Sequence, residues 1–216
     1  MESGLEQVQR VYARGAASYD RVLSVPDRLL FNRDRLWVTG QARGLTVEVA
    51  IGTGRNLHGY RNDVRVLGLD ASPEMLAHAV SRVRSTAVRL LAVAGDAEHL
   101  PVADACADTV VSTLAMCTIP SPHDALAEAF RVLRPGGVLL LLDHVRSSVP
   151  LVLRLQHLLA PLALRTEGDH LLRNPVDHLE ASGFAVEVVE RHAAGLVQRA
   201  RARKPLDAEE ALPAPV

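Results

Sequence analysis

Along the chain, short apolar runs that end in glycine or aspartate alternate with stretches whose apolar positions recur every three or four residues. Residues 46–51 run into Gly52-Thr53-Gly54, residues 65–70 end on Asp70, and residues 88–94 end in Gly95-Asp96. Residues 109–113 form a fourth run. Residues 137–144, with the unbroken stretch Val138 to Leu142, give the strongest strand signal of all. Between the runs lie helical patterns. Ser72-Pro73-Glu74 opens one, with a serine that can cap the first free N–H groups and a proline suited to the first turn. Residues 122–133 carry Leu126, Ala129, Phe130 and Leu133 on one helical face, and Arg134-Pro135-Gly136-Gly137 stops that helix and turns the chain into the next strand. Strands alternating with helices predict an α/β fold, a parallel sheet covered on both faces.

The two ends break this rhythm. Residues 1–40 read as helical, with Leu5, Val8, Val11 and Tyr12 at helical spacing and a break over residues 20–26. Near the other end, residues 177–182 read as the close of a helix stopped by Gly183. Residues 185–189 and 196–202 then read as strands separated by a gap too short for a helical crossover, so one of them is expected to run antiparallel. Residues 205–216, rich in Pro, Ala and acidic groups, are expected to be a disordered tail.

Composition narrows the partners. The 216 residues suit one domain with a small appendage, and 48% are hydrophobic, enough for a substantial core. With 24 basic against 25 acidic side chains, the net charge of −1 gives no push toward nucleic acid or an anionic membrane. The first ten residues lack the apolar core of a signal peptide, and no apolar run reaches the roughly 20 residues that span a bilayer. Two cysteines, Cys106 and Cys117, suit reduced thiols in a cytoplasmic protein, and no metal site is expected.

The candidate chemistry sits at the strand ends. Glycines at 52 and 54 let the backbone pass close to a ligand, and in an open parallel sheet the ligand crevice lies beyond the carboxyl ends of the strands. Asp70, ending the second strand, can accept hydrogen bonds from the ribose hydroxyls of an adenosine. Asp96, ending the third, can accept from the exocyclic amine of an adenine. A nicotinamide-dependent oxidoreductase would share this adenosine half, but its third fingerprint glycine falls on Leu57, and no pyrophosphate-binding arrangement is visible.

Five segments together resemble the class I S-adenosylmethionine (SAM)-dependent methyltransferases: Val47-Glu-Val-Ala-Ile-Gly-Thr-Gly54, Gly68-Leu-Asp-Ala-Ser-Pro-Glu-Met-Leu76, Gly95-Asp-Ala-Glu-His-Leu-Pro101, Asp108-Thr-Val-Val-Ser-Thr-Leu114 and Arg131-Val-Leu-Arg-Pro-Gly-Gly-Val-Leu139. The branch most resembled contains ubiquinone/menaquinone-biosynthesis, bacterial phospholipid N- and alkyl-thiol methyltransferases. The resemblance implies a Rossmann-like, seven-stranded, mostly parallel sheet with helices on both faces and an antiparallel C-terminal hairpin strand. It divides the chain into an N-terminal helical lid (1–40), a SAM-binding domain (41–204) and the tail. It assigns Glu48, Gly52, Gly54 and Asn56 to the methionine portion of SAM, Asp70 to the ribose, and Ala71 and Met75 to the adenine face. Asp96 and Ala97 would meet the adenine edge, Leu114 would lie near the sulfonium, and Tyr19 would belong to the lid. Ala50 stands in the same loop where the family usually has glycine, a substitution that would tighten it.

Methyl transfer to a small, apolar or partly apolar acceptor, leaving S-adenosylhomocysteine, is then the expected reaction. Alignment alone can supply about 7–11 kcal/mol, so a conspicuous catalytic residue is not required. His144, at the end of the fifth strand, and His170, in the segment after it, are the candidate bases. Asp143 is an uncertain partner for His144, because adjacent strand residues point to opposite faces. Leu151, Leu155, Leu158, Leu159 and Leu162 form one helical stripe, open to three readings: packed on the core, a lid over an apolar acceptor, or a peripheral lipid contact. A non-catalytic SAM-binding module is the alternative to an enzyme. The acceptor and the oligomeric state are not written in the sequence.

Overall fold

The computed structural model describes residues 6, 9–13 and 30–206. Seven strands form one sheet: β1 (Leu45–Val49), β2 (Arg65–Asp70), β3 (Arg89–Ala94), β4 (Ala107–Thr113), β5 (Leu133–His144), β6 (Ala185–His192) and β7 (Val197–Arg203). Their order is β3-β2-β1-β4-β5-β7-β6. The first five strands pair in parallel, while β7 runs antiparallel to both β5 and β6. The expected Rossmann-like α/β sheet with its antiparallel C-terminal hairpin is thus the architecture of the chain.

The apolar runs of the central strands β1, β4 and β5 are buried on both faces, whereas Leu91 of the edge strand β3 is exposed. Val110, Leu139 and Leu141 pack on one side with Ala125, Leu126, Ala129 and Val132 of α3 (Pro122–Val132) and with Leu179 and Phe184. Val111, Leu140 and Leu142, one step out of phase, pack on the other side with Val38 of α1 (Asn32–Gln41) and Leu76 and Ala79 of α2 (Pro73–Val83). The period-2 alternation of strand side chains is what sorts one run into two cores.

Local chemistry sets the element boundaries. The hydroxyl of Ser72 accepts from the N–H of Met75 at 3.2 Å and starts α2; that of Ser121 accepts from Asp124 at 3.3 Å and starts α3. Between β1 and β2 the chain takes successive turns without a regular helix. Helix α1 is fastened to the hairpin: Arg199 pairs with the buried Asp34 at 2.9 Å and lies over the Trp37 ring at 4.6 Å. Described residues 9–13 are helical. Most of the expected 1–40 lid and residues 207–216 of the expected tail lie outside the described residues.

One sequence expectation changes, and one of the three open readings of the leucine stripe is excluded. The helix expected over 177–182 is a single 3-10 turn, Pro175–His178, followed by further turns up to Gly183. The leucine stripe belongs to α4 (Pro150–Glu167) and does not pack on the core. Leu151 and Leu158 are each 76% exposed, and Leu155, Leu159 and Leu162 are exposed too. What α4 buries instead is Gln156, whose amide accepts from the N–H of Ser147 and donates to the carbonyls of Val145 and Leu171. Among the described residues, no helix is long and apolar enough to cross a membrane.

Candidate functional site

The strand order reverses at β1, whose two neighbours β2 and β4 are followed by helices on opposite faces of the sheet. A crevice opens at such a point beyond the carboxyl ends of the strands. It is lined here by residues 49–53 after β1, Asp70 and Ala71 after β2, residues 95–97 after β3, and residues 113–115 after β4. Tyr12, Arg35, Arg55, Leu69, Met75 and Thr118, with the apolar Ile119 and Pro120, complete the wall.

Backbone geometry shapes the floor. Gly52 has φ +57°, and a Cβ built on it would meet nothing within 4 Å, so its outer side is open to a ligand. Gly54 has a different task. A Cβ there would come within 2.6 Å of Leu57 and 3.1 Å of the Ala79 backbone, so its glycine lets the loop sit against α2. Ala50 and Leu114 both have φ +54° without being glycine. Two left-handed non-glycine residues facing one crevice store strain at a candidate site.

Asp70 ties the loop to β2. Its Oδ2 accepts from the N–H of Gly52 at 2.7 Å and its Oδ1 from the N–H of Ser72 at 2.9 Å. Burial raises its pKa above the ordinary value, and these backbone N–H groups hold it back. Each carboxylate oxygen keeps a lone pair for a further donor. Asp96 is steadied in the same manner, its Oδ1 accepting from the N–H of Glu98 at 2.9 Å.

Behind the crevice lies a buried polar network. Glu48 accepts from Asn56 Nδ2 at 2.7 Å and from the Tyr60 hydroxyl at 2.8 Å. Asn56 Nδ2 also reaches Thr113 Oγ1 at 2.9 Å, and Arg35 Nη1 donates to Asn56 Oδ1 at 2.9 Å and Thr113 Oγ1 at 3.1 Å. Burial pushes the Glu48 pKa up to about 7, against the pull of Tyr60, Asn56 and Arg35.

Of the sequence candidates, Ala50, Gly52, Asp70, Ala71, Met75, Asp96, Ala97 and Leu114 line the crevice. Glu48, Gly54 and Asn56 stand behind its wall. Tyr19 lies outside the described residues. His144 and His170 are not among the lining residues. His144 Nε2 lies 3.1 Å from Asp169 Oδ2, and the N–H of His170 donates to the carbonyl of Cys117 at 2.9 Å. Sequence reasoning missed Arg35, Thr113 and Tyr12, which reach the crevice from elements with no glycine or acidic signature.

Residues 47–141 match a family model described as a methyltransferase domain. The chain is 33% identical over 153 residues to phosphatidylethanolamine N-methyltransferase of Cereibacter sphaeroides, covering 68% of this chain and 73% of that protein. The chain belongs to the class I SAM-dependent methyltransferases. It is also 33% identical over 129 residues to a thiol S-methyltransferase of Homo sapiens, and there the match covers 58% of this chain but only 53% of the relative. A match to the UbiE ubiquinone/menaquinone biosynthesis C-methyltransferase of Roseobacter denitrificans is 35% identical over 156 residues and covers 67% of this chain and 61% of the relative. Among solved structures, a SAM-dependent methyltransferase of Thermotoga maritima, titled a possible histamine N-methyltransferase, superposes with a TM-score of 0.70 at 21% identity, covering 90% of this chain and 99% of that one. Phosphoethanolamine N-methyltransferase 2 of Haemonchus contortus in complex with SAM has a TM-score of 0.71 at 16% identity, covering 95% of this chain and 60% of that one. Both share the methyltransferase fold with this chain. The crevice described above lies at the switch point of that fold.

Proposed function

We propose that this methyltransferase moves the methyl group of SAM to a small acceptor with substantial apolar character. One observation carries the reading: Asp70, fixed by the N–H of Gly52, faces the same crevice as the open side of Gly52. A ribose and an amino-acid tail fit such a pairing of carboxylate and bare backbone. SAM, when bound, supplies an already activated methyl group.

The chain's own residues hold, orient and shield. Asp70 accepts from the ribose hydroxyls, and Asp96 with Ala97 and Met75 frames the adenine. The loop at residues 50–53 holds the methionine end, and Glu48 and Asn56 act through it by fixing Arg35 and Thr113. Leu114, Ala115, Ile119 and Pro120 exclude water from the far wall, where an apolar acceptor is favoured. The helical residues 9–13 bring Tyr12 against the crevice and cover part of it. The relatives' names, a phosphatidylethanolamine N-methyltransferase, a thiol S-methyltransferase and a ubiquinone/menaquinone biosynthesis C-methyltransferase, support an acceptor of small or lipid type without choosing among them.

Burial and the Arg173 charge lower the pKa of His170, which favours the neutral imidazole; because His170 lies outside the crevice lining, it serves as the base only for an acceptor that extends beyond that lining. Labelled SAM offered with a panel of thiol, amine, phenol and phospholipid acceptors, followed by mass spectrometry of the products, tests the activity. The expected result is turnover on at least one apolar acceptor, with His170→Ala lowering the rate about 100-fold while SAM affinity stays constant. Tight SAM binding with no product from any acceptor would favour a non-catalytic binding module instead.

A further inference from the structure

Four side chains that can ligate a metal converge at the carboxyl ends of β4 and β5. They are Cys117, Asp143, His144 and Asp169. One donor atom from each of Cys117, Asp143 and His144 lies within 4.8 Å of the other two. Asp169 reaches His144 Nε2 with Oδ2 at 3.1 Å and stands beside the Cys117 thiol. Cys117 and Asp143 are each 3% exposed.

The hydrogen bonding of this group does not close. Asp143 Oδ2 accepts from the N–H of Met116 at 2.9 Å, yet Asp143 Oδ1 and Asp169 Oδ1 are buried and accept from no donor among the described residues. The Cys117 thiol, with one proton, can serve one carboxylate at most. At least one buried carboxylate oxygen is then left without a donor, at a cost of about 1–3 kcal/mol or more. The Arg173 guanidinium adds positive charge nearby, but its hydrogen bonds go to the backbone carbonyls of Met116, Ile119 and Pro120.

We infer that this cluster is a binding site for a single divalent zinc-type cation, ligated by Cys117, Asp143 and His144 and braced by Asp169. A mixed thiolate, carboxylate and imidazole set is what zinc takes, and three protein ligands with one open position describe sites that also admit water or a substrate atom. The carboxylate of Asp169 on the imidazole matches the outer partner that orients metal-bound histidines. Binding requires Cys117 as thiolate. Its proton leaves to solvent, and the cation's two positive charges replace it among the carboxylates. The sequence concealed this site because its donors come from three separate segments with no ligand spacing. It also shares no residue with the SAM crevice lining, so its fate is independent of the methyl-transfer reading.

The test uses the full-length protein stripped with a chelator and dialysed against zinc, then against cobalt as an optical probe. The expected result is one equivalent of retained zinc by elemental analysis. In the cobalt form, the expected result is a thiolate-to-metal charge-transfer band. Cys106→Ser keeps the band and Cys117→Ser loses it. Asp169→Asn, which removes no ligand atom, still forms the band but weakens zinc affinity by about tenfold or more. SAM titration of each variant reports whether it is folded. Failure of the wild-type protein to retain stoichiometric zinc would overturn the inference. A charge-transfer band that persists in Cys117→Ser, or unchanged zinc affinity in Asp169→Asn, would overturn it as well.

Discussion

Ala50 shows how one methyl group sets a local energy. It occupies left-handed backbone at φ +54° in the loop that faces the crevice, where an L residue is disfavoured. Ala50→Gly is expected to stabilise the protein by about 1 kcal/mol, read as a shift of the denaturant midpoint at constant slope. Glu48 supplies the second residue-scale prediction. Its carboxyl, wholly buried, ionises near 7 in the folded protein against about 4.5 ordinarily. The folded protein therefore holds a proton that the unfolded chain releases. The stability Glu48 contributes is complete below pH 4.5 and declines as pH rises through 7. The wild type should lose up to about 3 kcal/mol relative to Glu48→Gln across that window. Parallel stability curves for the two proteins from pH 5 to 8 would show that Glu48 is already ionised on folding.

At the scale of elements, the sequence revealed strand ends far better than helix orientation. Apolar runs bounded by glycine or aspartate placed β1, β2 and β3 within a residue or two, because each run ends where the backbone must turn into the crevice. The serine before a proline located the start of α2, and the hydroxyl indeed caps it. An amphipathic stripe such as Leu151, Leu155 and Leu158 looks the same whether it faces a core or solvent, so periodicity alone could not orient α4. Gln156 fixes the inner face instead, as a buried amide with three backbone partners. Leu158→Glu should accordingly change stability by no more than about 0.5 kcal/mol, as measured by thermal or chemical unfolding. A loss of several kcal/mol would place that leucine in a buried interface. Residues 177–182 kept an apolar-polar pattern, but the 3-10 turn that Pro175 opens ends at His178, and only irregular turns follow up to Gly183.

For the whole molecule, the fold was legible because alternating strands and helices admit few arrangements, and the order of the glycine and acidic strand ends selects one of them. Contacts made across the fold were not legible. Arg35 meets Thr113 from 78 positions away in sequence, and His144 meets Asp169 only because the segment after α4 folds back over β5. One adenosyl-methionine molecule is proposed to span the Gly52 loop and Asp70. Isothermal titration of SAM into the wild-type protein and Asp70→Ala tests it most directly. One site per chain is expected in the wild type, with an affinity lower by about 1–3 kcal/mol in the variant and S-adenosylhomocysteine binding weakened in parallel. Equal affinities in the two proteins, or no SAM binding by the wild type, would contradict it.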